Sequence, residues 1–152
     1  ESRERCHEVY VENLKWAAET CGDADVGVLI EPINIFERPG YLTTLTAEAR
    51  DTVTRVGHPN LGIQFDFHNA QLMEGSLTRA LEETIGSIKH MQIAGLPGRT
   101  PPDEGEMNYP YLLGVIDRLG YEGWIGHEYR PHGADDGATK EPLRWAAEFG
   151  LG

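Results

Sequence analysis

Leu61-Gly62-Ile63-Gln64-Phe65-Asp66 is a short, nearly apolar run that finishes on a carboxylate, and its reading decides the fold. A strand covered on both faces shows this pattern. Val26-Gly27-Val28-Leu29-Ile30-Glu31 repeats it upstream, and 88–94 and 123–129 repeat it downstream. Between these runs the apolar residues change to helical spacing. Cys6, Val9, Tyr10, Leu14, Ala17, Ala18 and Cys21 form a first helix stopped by Gly22. Leu45, Ala49, Val53 and Val56 form a second, ended by Gly57 and Pro59. Ser76 is an N-cap for a third that carries Leu77, Ala80, Leu81 and Ile85. Leu112, Val115, Ile116 and Leu119 make a fourth, stopped by Gly120, and Leu143, Ala146, Ala147 and Gly150 make a last one. The order is one helix, then strand and helix four times, which predicts an α/β protein with a parallel sheet and crossover helices.

The loops choose a working face. Connections entering strands are short, at 22–25, 57–60, 86–87 and 120–122. Three connections leaving strands are long, at 33–44, 95–108 and 130–139, and long loops in a compact domain carry function. They gather at the C-terminal edge of the sheet, where α/β proteins bind ligands.

Composition removes several functional classes. The 152 residues hold 13 Lys plus Arg against 25 Asp plus Glu, a net charge of −12, which argues against a nucleic-acid partner. No apolar run is long enough to span a membrane, and the charged start Glu1-Ser2-Arg3-Glu4-Arg5 is not a signal peptide. Cys6 and Cys21 stand too far apart on one helix to bridge and read as buried, reduced thiols of a cytoplasmic protein.

Each strand carries a polar, oxygen-bearing residue at its end: Glu31, Asp66, Gln92 and Glu128. Alternate residues share a face, so Asp66 goes with Gln64 and Gly62, Gln92 with His90, and Glu128 with Gly126 and Trp124. If the strands are neighbours, the four ends converge at the rim that the long loops surround. Converging carboxylates need a counter-charge. An all-oxygen set predicts a hard divalent metal, Mg²⁺ or Mn²⁺, while His90 and His68 nearby keep zinc or cobalt open.

The residues then become recognisable. Glu31-Pro32-Ile33-Asn34, Pro39-Gly40-Tyr41-Leu42, Gln64-Phe65-Asp66-Phe67 and His90-Met91-Gln92-Ile93-Ala94-Gly95 resemble the hydroxypyruvate isomerase family. So do Pro97-Gly98-Arg99, Pro102-Asp103-Glu104-Gly105-Glu106, Asn108-Tyr109-Pro110-Tyr111 and the stretch Gly123-Trp124-Ile125-Gly126-His127-Glu128-Tyr129-Arg130-Pro131. The resemblance implies a (β/α)8 TIM barrel of the xylose isomerase-like superfamily, of which residues 1–152 supply the C-terminal half as a single partial domain. A half barrel made alone leaves sheet edges uncovered, so self-association into a homo-oligomer is expected of it.

The resemblance also implies metal ligands at Glu31, Asp66, Gln92 and Glu128, with Glu31 and Glu128 as the acid/base pair. The implied reaction interconverts hydroxypyruvate and tartronate semialdehyde, or related 2-oxo acid sugars such as 2-oxo-tetronate, through an enediolate. The substrate carboxylate needs a cation, for which Arg99 is the first candidate and His90 the second. The alternative for Arg99 is a loop ion pair with Asp103, Glu104 or Glu106. Related enzymes usually carry His three residues after the second-strand Asp. Here Asn69 stands there and His68 precedes it, so His68 and Asn69 are the substrate-contact candidates. The rival readings are a ketose 3-epimerase of the same superfamily and an inactive half-barrel scaffold.

Overall fold

The computed structural model describes residues 2–131 and 144–150. Helix α1 (Arg3–Gly22) begins at Ser2, whose hydroxyl accepts the Arg5 N–H. Then follow β1 (Val28–Ile30), α2 (Thr46–Val56), β2 (Leu61–Asp66), α3 (Phe67–Met73), α4 (Leu77–Thr84), β3 (Ile88–Ile93), α5 (Tyr109–Arg118), β4 (Ile125–His127) and α6 (Arg144–Glu148). The strands form one sheet in the order β1-β2-β3-β4, every pair parallel. Four sequential parallel strands joined by crossover helices are half of a (β/α)8 barrel, consistent with its C-terminal half.

The strand alternation separates two environments. Ile30, Ile63, Phe65, Met91 and Ile93 are buried beneath the helices. The opposite, concave face carries Leu29, Gly62, Gln64, His90 and Gln92. Near its lower end the register slips: Ile63 pairs with Ile88 but Gln64 pairs with His90, so Lys89 is the extra residue of a bulge. Gly62 makes that possible, because a Cβ there would stand 2.5 Å from the Lys89 stem.

Several sequence expectations need correcting. Helix α3 has no counterpart in the sequence reading; it starts on the residue after Asp66, whose carboxylate accepts the His68 and Asn69 N–H groups and caps it. Ser76 precedes α4 but makes no side-chain cap, and its backbone sits in the left-handed region at φ 47° rather than the extended one usual for an N-cap. Helix α5 starts three residues before Leu112, at Tyr109, where the Asn108 carboxamide accepts the Tyr111 N–H. Cys6 and Cys21 are free as expected but only half-buried, since the buried stripe of α1 is Val11, Leu14 and Ala18 between them. Leu143 and most of the loop at 130–139 lie outside the described residues. Among the described residues, no helix is long and apolar enough to cross a membrane.

Candidate metal and acid–base centre

The strand ends do converge, on a stagger. Asp66 pairs in register with Gln92, and Gln92 with Gly126, so Glu128 lies two residues beyond the rung that holds the other two. Ile30 pairs with Ile63, which places Glu31 level with Gln64 rather than with Asp66. Such stagger accompanies the strand tilt of a barrel. The side chains close the gap: Glu31, Asp66 and Glu128 each present a carboxylate oxygen within 4.8 Å of the others.

Gln64 occupies the rung below and joins the set diagonally. Its Nε2 donates to Glu31 Oε2 at 2.7 Å and to Gln92 Oε1 at 2.6 Å. Gln92 therefore stands at the cluster's edge, tied to Glu31 through one amide. The other Glu31 oxygen, Oε1, accepts from Asn69 Nδ2 at 3.0 Å. Asn69 in turn accepts from Asn34 Nδ2 at 2.7 Å, and Asn34 is fully buried. Asn69, expected to meet a substrate hydroxyl, thus has its amide committed to Glu31 and Asn34.

Arg99 enters from the loop after β3. That loop is folded tightly on itself: Gly95 N donates to Thr100 O at 2.7 Å and Glu106 N to Leu96 O at 2.8 Å. A Cβ on Gly105, whose φ is 88°, would meet Leu96 O at 2.1 Å, so the close approach of the two limbs requires glycine there. The buried Tyr109 hydroxyl ties the base of the loop to β3, accepting from Ala94 N at 3.0 Å and donating to Ala94 O at 2.7 Å. Arg99 itself sits at φ 57°. Its Nη2 lies 2.5 Å from Asp66 Oδ2 and 2.7 Å from Glu128 Oε2, and its Nε donates to Glu128 O at 2.7 Å. Its Nη1 stands 3.6 Å from Glu37 Oε2. The ion pairs of this arginine run to Asp66, Glu128 and Glu37.

The two histidines occupy different positions. His68 is buried, with Nδ1 3.1 Å from Gly95 O. His90 lies on the concave face over Gly126, where a Cβ would approach its Nε2 to 2.9 Å.

Burial and crowding set the protonation of the cluster. Burial, reinforced by the charges of Asp66 and Glu128, pushes the Glu31 carboxyl up to about 7, against the pull of Gln64 and Arg99. Burial also raises Asp66, although Arg99 and the N–H groups of Asn69 and His68 oppose it. Three oxygens within 4.8 Å match the ligand–ligand separations around a six-coordinate hard cation with metal–oxygen distances of about 2.0–2.6 Å. The donor set therefore fits a divalent ion.

Gln64, Asn34 and Glu37 escaped the sequence reading as site residues. Gln64 carried a signal, since it shares the Asp66 face, whereas Asn34 and Glu37 sit in an irregular loop where no periodicity assigns a direction.

Comparison with known proteins agrees with this architecture. Residues 1–149 match the family described as xylose isomerase-like TIM barrel. A 2-oxo-tetronate isomerase of Cupriavidus necator is 48% identical over 147 residues, covering 97% of this chain and 55% of the relative. A hydroxypyruvate isomerase of Escherichia coli is 43% identical over 144 residues, covering 95% of this chain and 54% of that one. The chain spans about half the length of the curated relatives it matches. A crystal structure described as an AP endonuclease, family 2, from Brucella melitensis superposes with a TM-score of 0.90 at 43% identity, over 97% of this chain and 55% of that chain. With the half barrel and the acidic strand ends in place, the chain belongs to the xylose isomerase-like TIM barrel family.

Proposed function

We propose that the protein is a metal-dependent isomerase that interconverts hydroxypyruvate and tartronate semialdehyde, or a closely related 2-oxo acid sugar. The observation that carries this reading is the trio of Glu31, Asp66 and Glu128 carboxylates, one of which is poised to titrate near neutrality. The names of the relatives from Cupriavidus necator and Escherichia coli support the substrate class.

Glu31, Asp66 and Glu128 would hold the ion, with Gln92 completing the set from the cluster's edge. A bound Mg²⁺ or Mn²⁺ would supply electrostatic stabilisation to negative charge developing on neighbouring substrate oxygens. Proton transfer falls to Glu31 and Glu128. From hydroxypyruvate, one glutamate removes a proton from C3 and the other delivers one to C2, while the hydroxyl proton passes from O3 to O2. In the reverse direction the two exchange roles, as microscopic reversibility demands. Without an ion the Glu31 carboxyl stands at about 7, and a bound ion would favour its ionised form, the form a general base needs.

The substrate carboxylate is received by Arg99, through the Nη1 that stands beyond hydrogen-bond length from Glu37, and by His90 on the concave face. His68 offers the ring nitrogen that Gly95 leaves free, and Asn69 acts on the substrate through Glu31.

Conversion of hydroxypyruvate by the full chain with Mn²⁺ or Mg²⁺ tests the reading. Conversion of a ketohexose without any of hydroxypyruvate would replace it with an epimerase. Glu128→Gln should reduce the thermal stabilisation conferred by Mn²⁺, and equal shifts in variant and wild type would remove Glu128 from the ligand set. Proton competition gives a further expectation. Below about 7 an ion must displace the Glu31 proton, so Mn²⁺ affinity should rise about tenfold per pH unit and level off above it. In chelator the sign reverses: the folded state holds this proton more tightly than the unfolded chain. Stability should therefore fall as pH rises from about 4.5 to about 7. Mn²⁺ titrations and thermal melts between pH 5 and 8 check both slopes.

A further inference from the structure

The direction of the Asn69 amide beside Glu31 traces back to one backbone group. Glu37 N–H donates to Asn34 Oδ1 at 2.9 Å, and a backbone N–H cannot exchange donor for acceptor as a carboxamide can by flipping. Asn34 must therefore present its Nδ2 to its other neighbours, donating to Asn69 Oδ1 at 2.7 Å and to Glu37 Oε2 at 3.2 Å. The Asn34 backbone N–H adds a longer donor, 3.4 Å from the same Asn69 oxygen. With that oxygen taken, Asn69 turns Nδ2 toward Glu31 Oε1, 3.0 Å away. Asn34 and Asn69 are 0% and 3% exposed, so no bulk water compensates a reversed amide, and each mismatched contact leaves buried polar atoms unpaired. The far end of the relay is anchored too: the Glu37 carboxylate is shared by Arg99 Nη1 at 3.6 Å and Arg130 Nη2 at 3.2 Å.

We propose that Asn34 is a positioning residue for Glu31. Its hydrogen bonds go to Glu37 and Asn69 and to none of the three clustered carboxylates. By dictating which end of Asn69 faces Glu31, it fixes that carboxylate in the orientation needed to hold a divalent ion and to move a proton. The catalytic consequence rests on the isomerase reading, whereas the consequence for metal binding does not.

A double-mutant cycle read by Mn²⁺ affinity in the full chain tests the relay. Asn34→Ala should weaken Mn²⁺ binding about 10–100-fold, the range for groups that orient a metal ligand. Asn34→Asp, which keeps the acceptor for Glu37 N–H but cannot donate to Asn69, should weaken it at least as much. Asn69→Leu should match Asn34→Ala, and the double variant Asn34→Ala/Asn69→Leu should be no weaker than Asn69→Leu alone, because the effect of Asn34 passes through Asn69. Thermal melts in chelator report folding, and Asn34→Ser takes the place of alanine in the cycle if alanine does not fold. With hydroxypyruvate, Asn34→Ala should lower kcat while leaving KM within about twofold, since Asn34 faces no substrate. Mn²⁺ affinity unchanged in Asn34→Ala, or an Asn34→Ala loss of equal size with and without Asn69, overturns the proposal. A wild type that binds Mn²⁺ but leaves hydroxypyruvate unchanged overturns the isomerase reading instead, and the Mn²⁺ cycle still decides the role of Asn34.

Discussion

Arg99→Met should destabilise the protein by about 3–5 kcal/mol at pH 7, the usual cost of removing one partner from a buried ion pair. The Arg99 side chain is 10% exposed and that of Asp66 only 1%, so methionine would fill the space and leave the buried Asp66 carboxyl without the cation that favours its ionised form. The His68 and Asn69 N–H groups still reach Asp66 Oδ1, but Oδ2 loses its 2.5 Å partner. Glu128 contributes less to the loss, because its half-exposed carboxylate can turn to water. Arg99→Lys should fall between the two, keeping the charge but losing the fork that spans the Asp66 and Glu128 side chains and Glu128 O.

The pH dependence has a definite sign. Arg99 favours the ionised form of Asp66 against the burial that raises its carboxyl, so the stability it lends is fully present only above that raised value and is lost as pH falls and Asp66 protonates. The gap between wild type and Arg99→Met should therefore narrow toward pH 4. Mn²⁺ should stabilise the variant more than wild type, since the ion and the guanidinium neutralise the same two carboxylates. Urea denaturation at both pH values checks these points, and a loss below about 1 kcal/mol at pH 7 would show that Asp66 does not depend on Arg99.

This arginine also marks where sequence and structure part company. Strand β2 is legible to the residue, because a central strand covered on both faces reads as a nearly continuous apolar run. The edge strands β1 and β4 shrink to three residues each, since each pairs on one side only. The convergence of Glu31, Asp66 and Glu128 is legible because period-two alternation and parallel order together fix a face and an edge. The stagger between strands is not legible, and it is the stagger that brings Gln64 against both Glu31 and Gln92. Helix α3 leaves no trace in the periodicity, being seven residues long and capped by Asp66, a residue already read as a ligand. The Arg99 partners lie 33, 29 and 62 positions away, at Asp66, Glu128 and Glu37, beyond the reach of any local pattern.

The largest expected effect on turnover belongs to Glu31→Gln, which should lower kcat on hydroxypyruvate by about 10²–10⁴-fold, the contribution of a positioned acid or base. Glutamine matches glutamate in shape, so the change tests charge and proton rather than packing. It also collides with the hydrogen-bond polarity around it. Glu31 accepts from two amide donors, Asn69 Nδ2 on one oxygen and Gln64 Nε2 on the other, and a carboxamide has only one acceptor end. Asn69 is held in its orientation by Asn34. Relief therefore requires Gln64 to turn its oxygen toward residue 31, and Gln92, which accepts from Gln64, must then turn as well. The disturbance spreads from the proposed acid/base group to the cluster's edge, and Mn²⁺ affinity should fall along with kcat. Glu31→Asp keeps both acceptors but withdraws them by one methylene, so it should retain more Mn²⁺ affinity than Glu31→Gln while losing much of the rate. At limiting Mn²⁺ the wild-type rate should fall below about 7, where protons compete with the ion for Glu31. A Glu31→Gln enzyme with more than about a tenth of the wild-type kcat would take Glu31 out of the proton path.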